Sequence, residues 1–161
     1  MKRFFLIIRL IFRTKIILKE PKNYKLVIFD DESLSDIKTV ISKINYFIMQ
    51  NRIVRINKIY ISLKIFRLFI KNYKGNMMTS YLVSLLEVIK PKTVITFIDN
   101  SEKFSDLAKI LSKKIKFIAI QNAYRFDIIE HDYLFKKKLT NINLNRRLYI
   151  PNLLCLGQYD V

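Results

Sequence analysis

Four short apolar runs, separated by amphipathic stretches, constrain this chain more than any other feature. They are KLVIF at 25–29, YFIM at 46–49, TVITFI at 93–98 and KFIAI at 116–120. Runs of this length, rich in β-branched and aromatic residues, read as strands buried on both faces, and the stretches between them read as covering helices. Strand and helix in alternation, joined by right-handed crossovers, give an open, mostly parallel Rossmann-like α/β sheet with helices on both faces. With 161 residues and 51% hydrophobic content the chain can bury one core but not two ordinary ones.

The intervening stretches support that reading. Ser33 can cap a helix carrying Leu34, Ile37, Val40, Ile41 and Ile44 at helical spacing. Residues 56–61, INKIYI, alternate as a further strand, and 63–73, LKIFRLFIKNY, form a basic amphipathic helix. Thr79 to Ile89 places Tyr81, Leu82, Leu85, Leu86 and Ile89 on one helical face, and Lys90 and Pro91 stop it. A helix capped by Asn100 or Ser101 runs on to about Lys113. From Phe126 to Arg147 the periodicity fades into loop with short helical or extended pieces, before a last apolar run at 150–156.

Two glycines and three prolines exclude glycine-rich phosphate loops and linker-rich architectures. One cysteine, Cys155, and one histidine, His131, exclude an internal disulfide and the usual four-ligand zinc site, so no metal is expected. The net charge of +17 is partly background, since 27 isoleucines and 21 lysines are what A and T rich codons supply. Its distribution is more informative: the excess is concentrated in residues 1–25 and 51–75.

Residues 1–20 stand apart as a basic amphipathic segment. Its longest apolar run, Phe4 to Ile8, is far too short for a membrane span or a signal peptide. As a helix it would set Arg9 and Arg13 beside an apolar body including Phe5 and Phe12, the composition of a helix lying at an anionic membrane surface; docking on the protein's own core is the alternative. Residues 52–74 hold seven cations and no acid, interleaved with aromatics. That pattern suits a packed helix with a solvated cationic edge, a membrane patch or a nucleic-acid face.

Open parallel sheets bind ligands beyond the carboxyl ends of their strands. The polar residues at those positions are Asp30, Asp31 and Glu32; Asp99 and Asn100; and Gln121, Asn122 and Arg125. Asp99 is placed to act as a general base on a hydroxyl or to cap the following helix, and Asn100 divides the same way. Gln121 and Asn122 offer donors and acceptors suited to sugar hydroxyls, and Arg125 suits a phosphate, with turn stabilisation as the alternative for all three. The 30–32 acids read as helix-dipole and solvated groups rather than an ion site. His131 reads as a loop residue and Cys155 as a small core residue.

The strings KPKTVITFIDNSEKFSDLAK (90–109) and KFIAIQNAYRFD (116–127), with KLVIFDDE near the start, resemble the amino-terminal half of bacterial surface-carbohydrate biosynthesis proteins of capsule and O-antigen assembly. That family is similar to GT-B type glycosyltransferases and, distantly, to the glycerophosphotransferases of teichoic acid synthesis. The resemblance covers residues 22–161 and implies a Rossmann-like domain, 21–161, that holds the acceptor. The second domain, which in that architecture binds the nucleotide-sugar donor, is expected to be absent, so that no cofactor binds this chain; it is then either a truncated or split product or half of an enzyme completed by a second polypeptide that carries the donor. The implied partners are a lipid-linked or glycan acceptor and an anionic membrane surface, and the implied location is the inner face of the cytoplasmic membrane. Nucleic acid is not the expected partner. A basic nucleic-acid-binding module or an inactive remnant is the alternative reading.

Overall fold

A computed structural model describes residues 14–31, 34, 38, 41–52, 56–121 and 148–154. Its centre is a five-stranded parallel sheet in the order β3-β2-β5-β6-β7, built from β2 (Leu26–Phe29), β3 (Tyr46–Met49), β5 (Thr93–Thr96), β6 (Lys116–Ile120) and β7 (Leu153–Leu154). The sheet confirms the α/β class. β2 is the first strand of this sheet in the chain and lies next to the edge strand β3: the chain leaves β2 towards β3 on one side, then crosses to β5, β6 and β7 on the other. The reversal of direction falls between β2 and β5, whose register pairs Leu26 with Thr93 and Ile28 with Ile95.

Side-chain alternation in the strands explains the two layers. Val27, Phe29, Val94, Phe117 and Ala119 face a large core shared with helix α2 (Met77–Ile89) and helix α3 (Glu102–Leu111). Phe104 stands at the centre of that core, 5.7 Å from the Phe29 ring and 5.4 Å from the Phe117 ring, both in edge-on arrangements. Leu26, Ile28 and Ile95 face the other side, where Leu34 and Ile41 cover them. Leu34, Lys38 and Ile41 are helical, as the spacing predicts; Ile44, expected on the same helix, instead donates to the Ile41 carbonyl in a turn beyond it and is exposed.

Helix ends follow their sequence signals. The side chain of Ser62 caps helix α1 (Leu63–Asn72), that of Asn76 caps α2, and that of Ser101 accepts the Phe104 N–H to cap α3. Lys90 ends α2 in the left-handed conformation, φ 54°, just ahead of Pro91, the stop read from the sequence. The third helix ends at Leu111, two residues earlier than expected.

Two expectations are corrected. The stretch 56–61 contributes only a three-residue strand, β4 (Lys58–Tyr60), and it does not join the main sheet. It pairs in parallel with β1 (Lys15–Ile17), a segment expected to be helical, with Ile16 beside Ile59. The cause lies in long-range partners: Ile61 N–H donates to the Ile17 carbonyl, Lys15 N–H to the Asn57 carbonyl and the Thr14 hydroxyl to the Ile56 carbonyl. Amphipathic periodicity cannot reveal a pairing across more than forty residues.

Candidate functional site at the carboxyl edge of the sheet

In an open α/β sheet the crevice at the reversal of strand order is where backbones diverge and leave room for a ligand. Here it lies beyond Phe29 of β2 and Thr96 of β5. The fully buried Thr96 hydroxyl ties the two strand ends together, donating to the Phe29 carbonyl at 3.1 Å and accepting the Ile98 N–H at 3.1 Å. Asp30 follows β2 directly, and Asp99 stands three residues beyond the end of β5.

Asp30 follows Phe29 in the left-handed region, φ 70°, a conformation that costs a non-glycine residue energy but that Asp tolerates better than most. Its N–H donates to the Met49 carbonyl, which carries the main-chain ladder one residue past β2 and fixes the turn. The side chain is 1% exposed, and Arg52 Nε lies 2.9 Å from Oδ2. The expectation of a solvated acid is therefore wrong for Asp30, because the left-handed turn directs its carboxylate inward to a guanidinium rather than outward. Asp31 beside it accepts from Gln50 Nε2 at 3.4 Å, while Glu32 lies outside the described residues.

Asp99 lies in the turn after β5 and is buried. It is not the cap of α3, because Ser101 holds that position and its hydroxyl accepts the Phe104 N–H at 3.3 Å. Of its two sequence readings, the helix cap is thus excluded. Asn100 is exposed on the same turn. Gln121 follows β6 and is buried, its backbone N–H donating to the Leu154 carbonyl at 2.9 Å, so its position is set by the pairing with β7. Asp30, Asp99 and Gln121 therefore stand at the carboxyl ends of three adjacent strands, the placement read from the sequence. Asn122 and Arg125 lie outside the described residues, as do Arg9, Arg13, Phe5, Phe12, His131 and Cys155.

Sequence reasoning missed two further members of this edge. Lys103, on the first turn of α3, reaches the Asn51 carbonyl with its ammonium at 3.0 Å, linking the element after β5 to the end of β3. Asn51 itself is buried. Neither has a local signal, because each is defined by a partner 52 positions away. Arg52 read as part of a cationic stretch, and its role emerges only from the Asp30 contact.

Next to the polar edge is an apolar cavity of about 890 Å³, within the range of about 300–1,000 Å³ typical of small-molecule sites. It lies between β3, β4, α1 and α2, with Phe47, Met49, Tyr60, Phe69, Met78 and Leu82 among its walls. Aromatic contacts frame it: Phe47 packs against Tyr24 at 5.5 Å and against Tyr60 at 5.7 Å. The Tyr81 hydroxyl accepts the Tyr60 N–H at 3.0 Å and donates to the Tyr60 carbonyl at 3.1 Å, clamping β4 to α2. Burial pushes the Tyr81 pKa up, its backbone bond to Tyr60 pulls it down, and the neighbouring Tyr60 raises it; burial also raises Tyr60, with Tyr24 adding to it. Both hydroxyls therefore hold their protons more tightly than an ordinary tyrosine, and that of Tyr81 makes both bonds of the clamp. Gln50 belongs to cavity and polar edge alike: it lines the cavity, donates to Asp31 and accepts the Asn57 N–H at 3.1 Å.

No group of three or more metal-ligating side chains occurs among the described residues, and no helix among them is long and apolar enough to cross a membrane. Comparison of the chain with protein-family models, curated proteins and solved structures finds no match.

Proposed function

We propose that this chain is the acceptor-side domain of a glycosyltransferase-like protein of surface polysaccharide synthesis, and that its ligand is a lipid-linked glycan. One observation carries the reading: Gln50 lines an apolar cavity and donates to Asp31 at the polar strand ends, so an amphiphile with its hydrocarbon in the cavity would bring a hydroxylated head to that edge. The resemblance of residues 90–109 and 116–127 to capsule and O-antigen proteins supports it from the sequence side.

In this reading the hydrocarbon occupies the cavity, and the sugar meets Asp99 and Gln121, with Asn100 next to Asp99 and with Asn122 and Arg125, which follow Gln121 in sequence, as the further candidates. Asp99 accepts the proton of the acceptor hydroxyl as its oxygen bonds to the transferred group, and the nucleoside diphosphate departs with the electron pair of the broken bond. The donor and its nucleotide belong to a second domain or polypeptide. The basic segment with Arg9, Arg13, Phe5 and Phe12 holds the chain at the inner face of the cytoplasmic membrane, where such acceptors reside.

Titration of the full chain with a polyprenyl-phosphate-linked disaccharide in detergent micelles tests the proposal. Saturable binding is expected, at least tenfold weaker for the sugar-free polyprenyl phosphate and for Gln121→Ala. Equal affinity for both lipids, or tight binding to RNA that survives high salt in their place, would remove the acceptor-side reading.

A further inference from the structure

Helix α1 presents two faces that serve different purposes. One is docked: Ile65 is buried, Leu68 packs on the core, and Asn72 Nδ2 donates to Glu87 Oε2 of α2 at 2.8 Å. The opposite side leaves Leu63, Phe66 and Ile70 exposed at 67%, 56% and 60%, at spacings of three and four that align them in one stripe. Tyr73 and Met77, both exposed, carry the apolar surface past the helix end. Lys64, Arg67 and Lys71 form a parallel exposed stripe beside it, Lys74 follows, and no acidic residue occurs between 52 and 74. Lys64 pairs with Glu20 at 3.3 Å, a solvent-exposed contact that leaves the stripe positive.

A soluble helix normally turns its large apolar residues inward and its charges outward. Here bulky apolar side chains and cations share the outer surface. Cations alone would suit any polyanion, but a nucleic acid buries single apolar side chains as wedges between bases and leaves the rest of a stripe such as Leu63, Phe66 and Ile70 against a hydrated phosphate backbone. A second copy of the chain would bring Lys64, Arg67, Lys71 and Lys74 against the same four cations. An anionic bilayer satisfies both stripes at once, with hydrocarbon for Leu63, Phe66 and Ile70 and headgroup phosphates for Arg67 and Lys71. We infer that α1 is a membrane-docking helix that lies in the interface of an anionic lipid bilayer. The binding of this face to lipid does not depend on the transferase reading.

Flotation of the full chain with vesicles of phosphatidylcholine and phosphatidylglycerol, against phosphatidylcholine alone, provides the test. Three double variants are compared: Phe66→Ser with Ile70→Ser, Arg67→Gln with Lys71→Gln, and Phe5→Ser with Phe12→Ser. The expected result is binding to the anionic vesicles that falls at least tenfold in each of the first two variants while their thermal transitions stay close to that of the parent. Wild-type flotation of those two, with loss only in the Phe5/Phe12 variant, would overturn the inference and leave the amino-terminal anchor standing. Absence of flotation by the parent chain would overturn both. Concentration-dependent dimerisation of the parent that Phe66→Ser with Ile70→Ser abolishes, without vesicle binding, would assign the face to a second copy instead.

Discussion

Asp30 and Arg52 show how a single turn residue can organise a strand end. The carboxylate is nearly inaccessible while the guanidinium is partly open to solvent, so removing the arginine costs mainly the loss of a charge partner for a buried group. Arg52→Ala is expected to lower stability by about 1–3 kcal/mol, measured by urea denaturation. The double variant with Asp30→Asn should be less destabilised than the sum of the single changes, because the buried charge has gone as well. Asp99 behaves differently, since Ser101 rather than Asp99 holds the helix cap. Asp99→Asn preserves shape and hydrogen-bonding capacity but not basicity. It should abolish transfer in an enzyme reconstituted with a donor domain while moving Tm by no more than about 4 °C. A larger loss of stability would make Asp99 a structural residue of the turn.

At the scale of the element, caps and clamps determine how firmly the cavity walls are held. Ser101→Ala should cost about 1 kcal/mol through loss of the bond to the Phe104 N–H, read as a lower urea midpoint with unchanged slope. Lys90→Gly should stabilise by about 0.5–1 kcal/mol, since glycine occupies the left-handed end of α2 without steric penalty. The Tyr81 clamp links stability to pH. Burial raises its pKa above the ordinary tyrosine value, so the folded chain holds the phenolic proton more tightly than the unfolded chain. Its contribution is complete below the unfolded pKa and is lost as pH rises through the higher folded one. Melting followed across the alkaline range should therefore show a fall that Tyr81→Phe reduces, although that variant starts lower because β4 has lost both bonds to α2. The sequence could show the cap residues and the α2 stop, because each acts within four positions. It could not show β1 and β4 as a separate sheet: Lys15 to Ile17 fits an amphipathic helix locally, and only the partner strand more than forty residues away makes it extended.

For the molecule as a whole, the parallel sheet was legible because its four long strands are apolar runs that no helical spacing explains. Positions 30, 99 and 121 followed from that sheet, since the end of a strand fixes where the turn after it lies, whereas the inward direction of the Asp30 carboxylate depends on its left-handed backbone and on Arg52. The cavity was not legible. Its walls come from β3, β4, α1 and α2, and nothing in the local sequence around Tyr24, Phe47 and Tyr60 shows that these three rings meet beside one space. In the function proposed above, the contact of Gln50 with both that space and the polar edge is what would fit an α/β sheet to an amphiphile. The most direct measurement is photocrosslinking of the full chain with a polyprenyl-phosphate-linked sugar bearing a diazirine in its hydrocarbon, followed by mass spectrometry of the labelled peptides. Labels should fall on the cavity walls, at Phe47, Met49, Tyr60, Met78 and Leu82, and be competed away by the unlabelled lipid-linked sugar. Labels confined to the outer stripe of α1, or unaffected by that competitor, would contradict the account.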